Sequence, residues 1–165
     1  MCAKYGSGKR QMDELRGKIR IGVIGGGRPK AKFAALAYEV GREIGRRGAI
    51  LVCGGLGGVM AQAARGAADA GGLTIGILPG SKASEANPYI HVPIATGMGY
   101  TRNSLVAMNA DALIAVDGEY GTLSEIAFGF INGRRVIGLG TWDVKGIVPA
   151  ATAEEAVRLA LESAR

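Results

Sequence analysis

Gly121-Thr122-Leu123-Ser124-Glu125 puts a turn residue, a hydroxyl and a carboxylate within little more than one helical turn. Two readings of this stretch are open. With Thr122 as N-cap and Glu125 three residues later it is a capping box that only starts a helix. Alternatively, the Gly121 and Thr122 amides and the Thr122 hydroxyl hold a phosphate, and Glu125 projects a carboxylate into the same crevice. Arg102, followed by Asn103, opens another helical run, where the helix dipole disfavours a cation. It is either a solvated surface arginine or the partner of an anion. Three glycine loops recur at similar places: Gly25-Gly26-Gly27-Arg28-Pro29, Gly54-Gly55-Leu56-Gly57-Gly58 and Asp117-Gly118-Glu119-Tyr120-Gly121-Thr122. Each follows an apolar run and precedes a helical one, so unpaired backbone N–H groups face whatever lies beyond the strand ends. Tight turning and close helix–sheet packing explain any single loop. Three at one sheet edge point to a ligand that accepts hydrogen bonds.

Other chemistry finds little support. No loop matches G-x-G-x-x-G or G-x-x-x-x-G-K-S/T, which argues against an ordinary NAD site and an ATPase. His91, the one histidine, reads as a strand residue, and Ser81, Ser84, Ser104 and Ser124 lack a nucleophile context. Cys2 and Cys53 are too far apart for metal-ligand spacing and form no disulfide framework, so no metal site is expected and a reducing cytoplasm fits best. No apolar run reaches the roughly 20 residues of a membrane span, and Met1 to Tyr5 lacks the apolar core of a signal peptide. The net charge of +6 is scattered between Lys4–Lys18 and the Arg46-Arg47 helix end, without interleaved aromatics, which argues against a nucleic-acid surface.

The elements that must position these residues follow from periodicity. Residues 1–17 are polar and read as a flexible leader, and the fold begins at Lys18. Strands are expected over Ile19–Ile24, Ala49–Cys53, Leu73–Leu78, Tyr89–Ile94, Ala112–Val116 and Arg135–Leu139, with a short one near Val148. Helices are expected over 30–47, 59–70, 100–109 and 121–131, and a last one opens at Thr152 with Glu155 as a capping box. The loop 79–88 is long enough to act as a lid. With 48% hydrophobic residues but only 5% aromatic ones, the core must be aliphatic. Alternating strands and helices predict a single domain over 18–165, of α/β class. Its sheet is doubly wound and mostly parallel, a Rossmann-like three-layer sandwich.

Gly54-Gly55-Leu56-Gly57-Gly58-Val59-Met60, then Gly66-Ala67, Gly71-Gly72, Gly76-Ile77-Leu78-Pro79-Gly80 and Gly121-Thr122-Leu123-Ser124-Glu125 together resemble the superfamily of Lonely Guy phosphoribohydrolases and molybdenum-cofactor carrier proteins. The resemblance covers about residues 19–140 in consistent order. The phosphoribohydrolase pattern is Pro-Gly-Gly-x-Gly-Thr-x-x-Glu with a preceding arginine. It implies Arg102 and Glu125 as catalytic residues that release a base from a cytokinin nucleotide or AMP. The chain departs at Asp117-Gly118-Glu119, where Glu119 adds a Cβ and a negative charge beside the expected phosphate, and at Asn103, which replaces a lysine. Pro93 to Asn103 looks more like the cofactor-carrier branch, whose members carry a phosphate-bearing pterin. Nothing supports the label "lysine decarboxylase" that members of the superfamily often bear. The resemblance implies a homodimer or homotetramer. The expected ligand is a molybdopterin or molybdenum cofactor, or a nucleoside monophosphate. It would be held by Gly25, Gly26, Gly27, Gly54, Gly55, Gly57, Arg102, Asn103, Gly118, Gly121 and Thr122.

Overall fold

The computed structural model describes residues 15–164, so the proposed leader lies outside the described residues except for Leu15 to Gly17. Seven strands form one sheet: β1 (Arg20–Gly25), β2 (Ile50–Cys53), β3 (Thr74–Leu78), β4 (Val92–Ala95), β5 (Ala112–Val116), β6 (Arg135–Leu139) and β7 (Val148–Pro149). Among the described residues five α-helices cover it: α1 (Ala31–Arg46), α2 (Val59–Asp69), α3 (Asn103–Met108), α4 (Tyr120–Ile131) and α5 (Ala153–Ser163). The strand order is β4-β3-β2-β1-β5-β6-β7 and every neighbouring pair is parallel. A parallel sheet is covered on both faces, which is why β5 is buried at all five positions and reads as an unbroken apolar run.

Alternation along the strands sorts the core into two layers. Ile21, Val23, Leu51, Cys53, Ile114 and Leu139 pack with α1, α2 and α5. Ile24, Val52, Ile77, Leu113, Ala115 and Val136 pack on the opposite face with α3 and α4. Helices α1 and α2 touch backbone to backbone. A Cβ added at Gly41 would stand 1.9 Å from the Ala63 carbonyl oxygen, and one at Gly66 would stand 2.0 Å from that of Tyr38.

Four local expectations are corrected. Tyr89 to His91 do not extend β4: the Tyr89 carbonyl accepts from the Thr74 hydroxyl at 2.6 Å, and the His91 amide donates to that same hydroxyl oxygen at 2.9 Å. A side chain there takes the place of the ladder. The helix expected from Tyr100 begins as a tighter 3-10 turn over Gly99–Arg102 before α3. Helix α4 starts at Tyr120 with Glu119 as its N-cap, so Thr122 caps nothing. Loop 79–88 is pinned at its far end, because the Asn87 side-chain amide donates to the carbonyls of Gly55 and Leu56 at 3.2 and 2.9 Å. At α5 the Thr152 half of the capping box forms, the Glu155 amide donating to Thr152 Oγ1 at 3.2 Å, while the Glu155 carboxylate reaches one residue further back and accepts from the Ala151 amide.

The α1–α2 contact yields a stability test. Gly41→Ala forces the helices apart and should cost about 1–3 kcal/mol in urea unfolding. Gly17→Ala, with nothing within 4 Å of the new methyl, should be neutral.

Candidate functional site

Strand order reverses between β1 and β5, because the chain runs outward from β1 to β4 and then returns to β1's other side. Turns leaving two such strands diverge to opposite faces and open a crevice at their carboxyl ends. A cavity of about 590 Å³ lies there, lined by Gly25 to Gly27, Leu56, Met60, Tyr100, Arg102, Asn103, Glu119 to Thr122, Ser124 and Glu125. Its size suits a mononucleotide or a small cofactor.

The candidate glycines divide into wall and frame. Gly26, Gly27 and Gly121 line the cavity with little against them, and a Cβ at Gly121 would meet only Asn103 Nδ2, at 3.8 Å. Gly25 also lines it, but a Cβ there would collide with the Val116 carbonyl and with Val59. Gly54, Gly55, Gly57 and Gly118 do not line the cavity. Gly54 lets Arg102 approach, since a Cβ would stand 2.5 Å from Nη2, and Gly55 packs against Leu78 and Gly76. Gly118 takes φ +141 with its α-carbon against the Thr122 side chain. Gly57 has open space around it. No residue of loop 79–88 lines the cavity, so the segment read as a lid does not cover it.

Four polar side chains are buried at the cavity floor: Arg102 (6% exposed), Asn103 (3%), Thr122 (2%) and Glu125 (6%). The solvated-surface reading of Arg102 is therefore overturned. Its Nη2 donates to the Gly54 carbonyl at 3.2 Å and its Nη1 to Asn103 Oδ1. Asn103 Nδ2 donates onward to Ser124 Oγ at 2.9 Å and to the Gly121 carbonyl at 3.3 Å. Asn103 thus ties the arginine to the first turn of α4. Arg102 Nη1 faces Glu125 Oε1 at 3.9 Å, too long for a hydrogen bond. Arg102 Nε and Thr122 Oγ1 are buried with no partner, as is uncommon for buried polar atoms. The amides of Tyr120, Gly121 and Thr122, in the first turn of α4, precede the first intrahelical bond, which runs from Leu123 to the Glu119 carbonyl.

Burial sets the charge state of this floor. It pushes the Glu125 carboxyl up to about 8, against a smaller lowering by Arg102. Burial also lowers Arg102 from its usual value, opposed by Glu125 and Cys53. Cys53, behind the floor on β2, is pushed up to about 12 by burial and stays a thiol. At neutral pH the floor therefore carries one guanidinium beside a protonated carboxyl, a net positive site.

Several site residues escaped sequence reasoning. Tyr100 and Tyr120 line the cavity while 87% and 81% exposed, and Leu56 and Met60 add apolar wall. Ser124, discounted as a nucleophile, serves as Asn103's acceptor and donates to the Gly121 carbonyl at 2.7 Å. The signal available was its i+3 spacing from Gly121. Among the described residues no three His, Cys, Asp or Glu side chains gather as metal ligands, and no helix is long and apolar enough to cross a membrane.

Comparison with known proteins agrees with this fold. A family model described as the SLOG cluster4 family matches residues 18–164. The molybdenum-cofactor-binding protein of Rippkaea orientalis superposes with a TM-score of 0.83 at 33% identity, covering 88% of this chain and 96% of that one. An uncharacterized protein of Archaeoglobus fulgidus is 43% identical over 146 residues, 88% of this chain and 96% of its own length. A rice cytokinin riboside 5'-monophosphate phosphoribohydrolase is 37% identical over 101 residues, 59% of this chain but only 41% of that enzyme.

The Glu125 carboxyl predicts a pH signature. Its proton is held more tightly folded (about 8) than in the unfolded chain (4.5), so folding binds a proton between those values. The sign follows: Glu125's contribution is most favourable below about 4.5, declines as pH rises and levels off above 8. Subtracting Glu125→Gln from the parent in urea unfolding at pH 5 and pH 8 should leave a relative loss for the parent at pH 8. Parallel curves would mean that Glu125 ionises normally.

Proposed function

Because this chain belongs to the SLOG cluster4 family, we propose that it binds a phosphate-bearing heterocyclic ligand in the β1/β5 crevice and carries it, with a molybdenum-cofactor-type pterin as cargo. The observation that carries this reading is the set of unused donors at the cavity floor: the first-turn amides of α4, the partnerless Thr122 hydroxyl and the Nε of the buried Arg102 guanidinium. A phosphate oxygen satisfies such donors, and the helix dipole and the guanidinium both favour its charge. Gly26, Gly27 and Gly121 leave backbone exposed for close approach. The residues present therefore fit a phosphate group. The likeness to the molybdenum-cofactor-binding protein of Rippkaea orientalis, over nearly the whole of both chains, supports the pterin as cargo. A homodimer or homotetramer belongs to the same reading. The exposed Met98, Met108 and Ile131 supply apolar surface near α3 and α4 for a subunit contact.

A second reading rests on Arg102 facing Glu125 at 3.9 Å on the cavity floor. In it the chain hydrolyses the N-glycosidic bond of a nucleoside monophosphate. Arg102 offsets substrate charge, and the Glu125 carboxyl acts at the sugar, either assisting water or stabilising an oxocarbenium-like centre.

Thr122→Val discriminates ligand binding from fold. Since Oγ1 has no partner, the isosteric valine should leave stability equal or higher, while affinity for the phosphate ligand falls about tenfold. Gly121→Val should weaken binding by crowding the phosphate seat. Unchanged binding by both folded variants would remove the seat from α4. Free base released from AMP or isopentenyl-AMP by the parent, and lost in Glu125→Ala, would decide for the hydrolase over the carrier.

A further inference from the structure

Glu119 stands at the cavity mouth with a carboxylate that the fold does not use. It is the N-cap residue of α4, yet its side chain makes no capping hydrogen bond. Among the described residues it forms no ion pair, since the salt bridges lie elsewhere. Its backbone is held, because Trp142 Nε1 donates to the Glu119 carbonyl at 3.3 Å. Its side chain reaches across the crevice: a Cβ on Gly26 would meet Glu119 Cγ at 3.8 Å and Oε1 at 3.9 Å. Anything filling the cavity from floor to mouth therefore passes an unpaired carboxylate.

An aromatic platform adjoins it. Tyr120 stacks on Trp142 with ring centroids 5.7 Å apart and planes tilted by 35°. Trp142 is half-buried against the α3/α4 core, whereas Tyr120 is 81% exposed and lines the cavity, so the pair is anchored from below and open to a ligand. Tyr100, also lining the cavity and 87% exposed, adds a second aromatic at the mouth. A planar ring stacks on such surfaces whatever its edge chemistry. The carboxylate is not so tolerant. It only accepts hydrogen bonds, and two adjacent N–H donors match its two oxygens.

We propose that Glu119 makes this site selective for an amino-oxo heterocycle of the guanine or pterin type, whose ring N–H and exocyclic amine lie side by side, with the ring stacked on Tyr120. Adenine offers one amine beside a ring lone pair, which the carboxylate repels. The inference rests on the phosphate-ligand reading above and adds the group that reads the ring. It also gives a role to a residue that, beside a phosphate seat, otherwise only adds like charge.

Trp142 is the only tryptophan and lies 5.7 Å from the Tyr120 ring, so its fluorescence senses a ligand stacked on Tyr120. Guanosine monophosphate, a neopterin phosphate, adenosine monophosphate and inorganic phosphate are titrated into the full-length parent, Glu119→Gln and Tyr120→Ala, with affinities measured by calorimetry. The parent should bind guanosine monophosphate and neopterin phosphate about ten- to a hundredfold more tightly than adenosine monophosphate. The ratio between the first two identifies the natural ring. Glu119→Gln should collapse the preference against adenine to within a few-fold while inorganic phosphate binds no more weakly than to the parent. Tyr120→Ala should weaken all three heterocyclic ligands together, and by more than it weakens inorganic phosphate, whose contact at this position is the backbone amide that alanine keeps. Equal binding of the adenine and guanine nucleotides by the parent, or a preference that survives Glu119→Gln, overturns the proposal and leaves the phosphate seat standing. Failure of all four ligands to bind folded parent protein overturns both.

Discussion

The reversal of strand order between β1 and β5 is the constraint on which the rest depends. Parallel neighbours need right-handed crossovers, so outward winding from β1 sets α1 and α2 on one face, and winding in the other direction sets α3 and α4 on the other. At the boundary the turns after β1 and β5 leave to opposite sides, and no crossover fills the gap. The glycine turns belong to this geometry. The Val59 amide donates to the Gly26 carbonyl at 3.1 Å, and Gly58 takes φ +66 with its α-carbon so near Gly26 and Gly27 that a Cβ would lie 2.4 Å from the Gly26 oxygen. The turns after β1 and β2 thus lock together, and the wall of the crevice is backbone.

That wall explains how an arginine comes to be buried beneath the site. Desolvating a guanidinium costs several kcal/mol unless its donors are met. Gly54, having no side chain, admits the Arg102 head against its own carbonyl, while Asn103 supplies a second acceptor and hands its own donors to Gly121 and Ser124. The compensation is incomplete, since Nε keeps no partner and Glu125 stands at 3.9 Å. Replacing such a buried, partly satisfied charge by well-packed hydrophobic side chains is often neutral or stabilising. Fold stability alone thus gives no reason for this partly satisfied charge, whereas the proposed phosphate ligand does.

Sheet class and most elements were legible because they rest on local apolar runs. Ala112–Val116 and Arg135–Leu139 agree with the sequence reading at both ends. Where the reading failed, an unread turn or a partner distant in sequence had replaced a local rule. Thr122 and Glu125 have capping-box spacing, but the left-handed Asp117 (φ 55) followed by Gly118 turns the chain early, so α4 begins two residues before Thr122. Tyr89 to His91 have strand composition, but Thr74's hydroxyl takes their backbone groups. Arg102 looked like surface because its burial depends on Gly54, forty-eight positions away. The same holds for the Tyr120–Trp142 pair, which only the packing of the 140–147 segment beside α4 brings together.

Glu125 separates the two functional readings by its proton. A carboxyl pushed up to about 8 is mostly protonated at neutral pH, and in that state it donates a hydrogen bond to a ligand oxygen. A base that activates water must first lose that proton, and the deeply buried floor resists the charge that results. Bringing a phosphate dianion nearby raises the resistance further, since like charges in a shared low-dielectric site disfavour ionisation. Holding a ligand uses the carboxyl in the form that burial already favours, whereas base-assisted hydrolysis requires the form that burial penalises. The environment of this one side chain thus suits a carboxyl that donates its proton, to the oxygen of a held ligand or as a general acid to a leaving base, and not one that acts as a base.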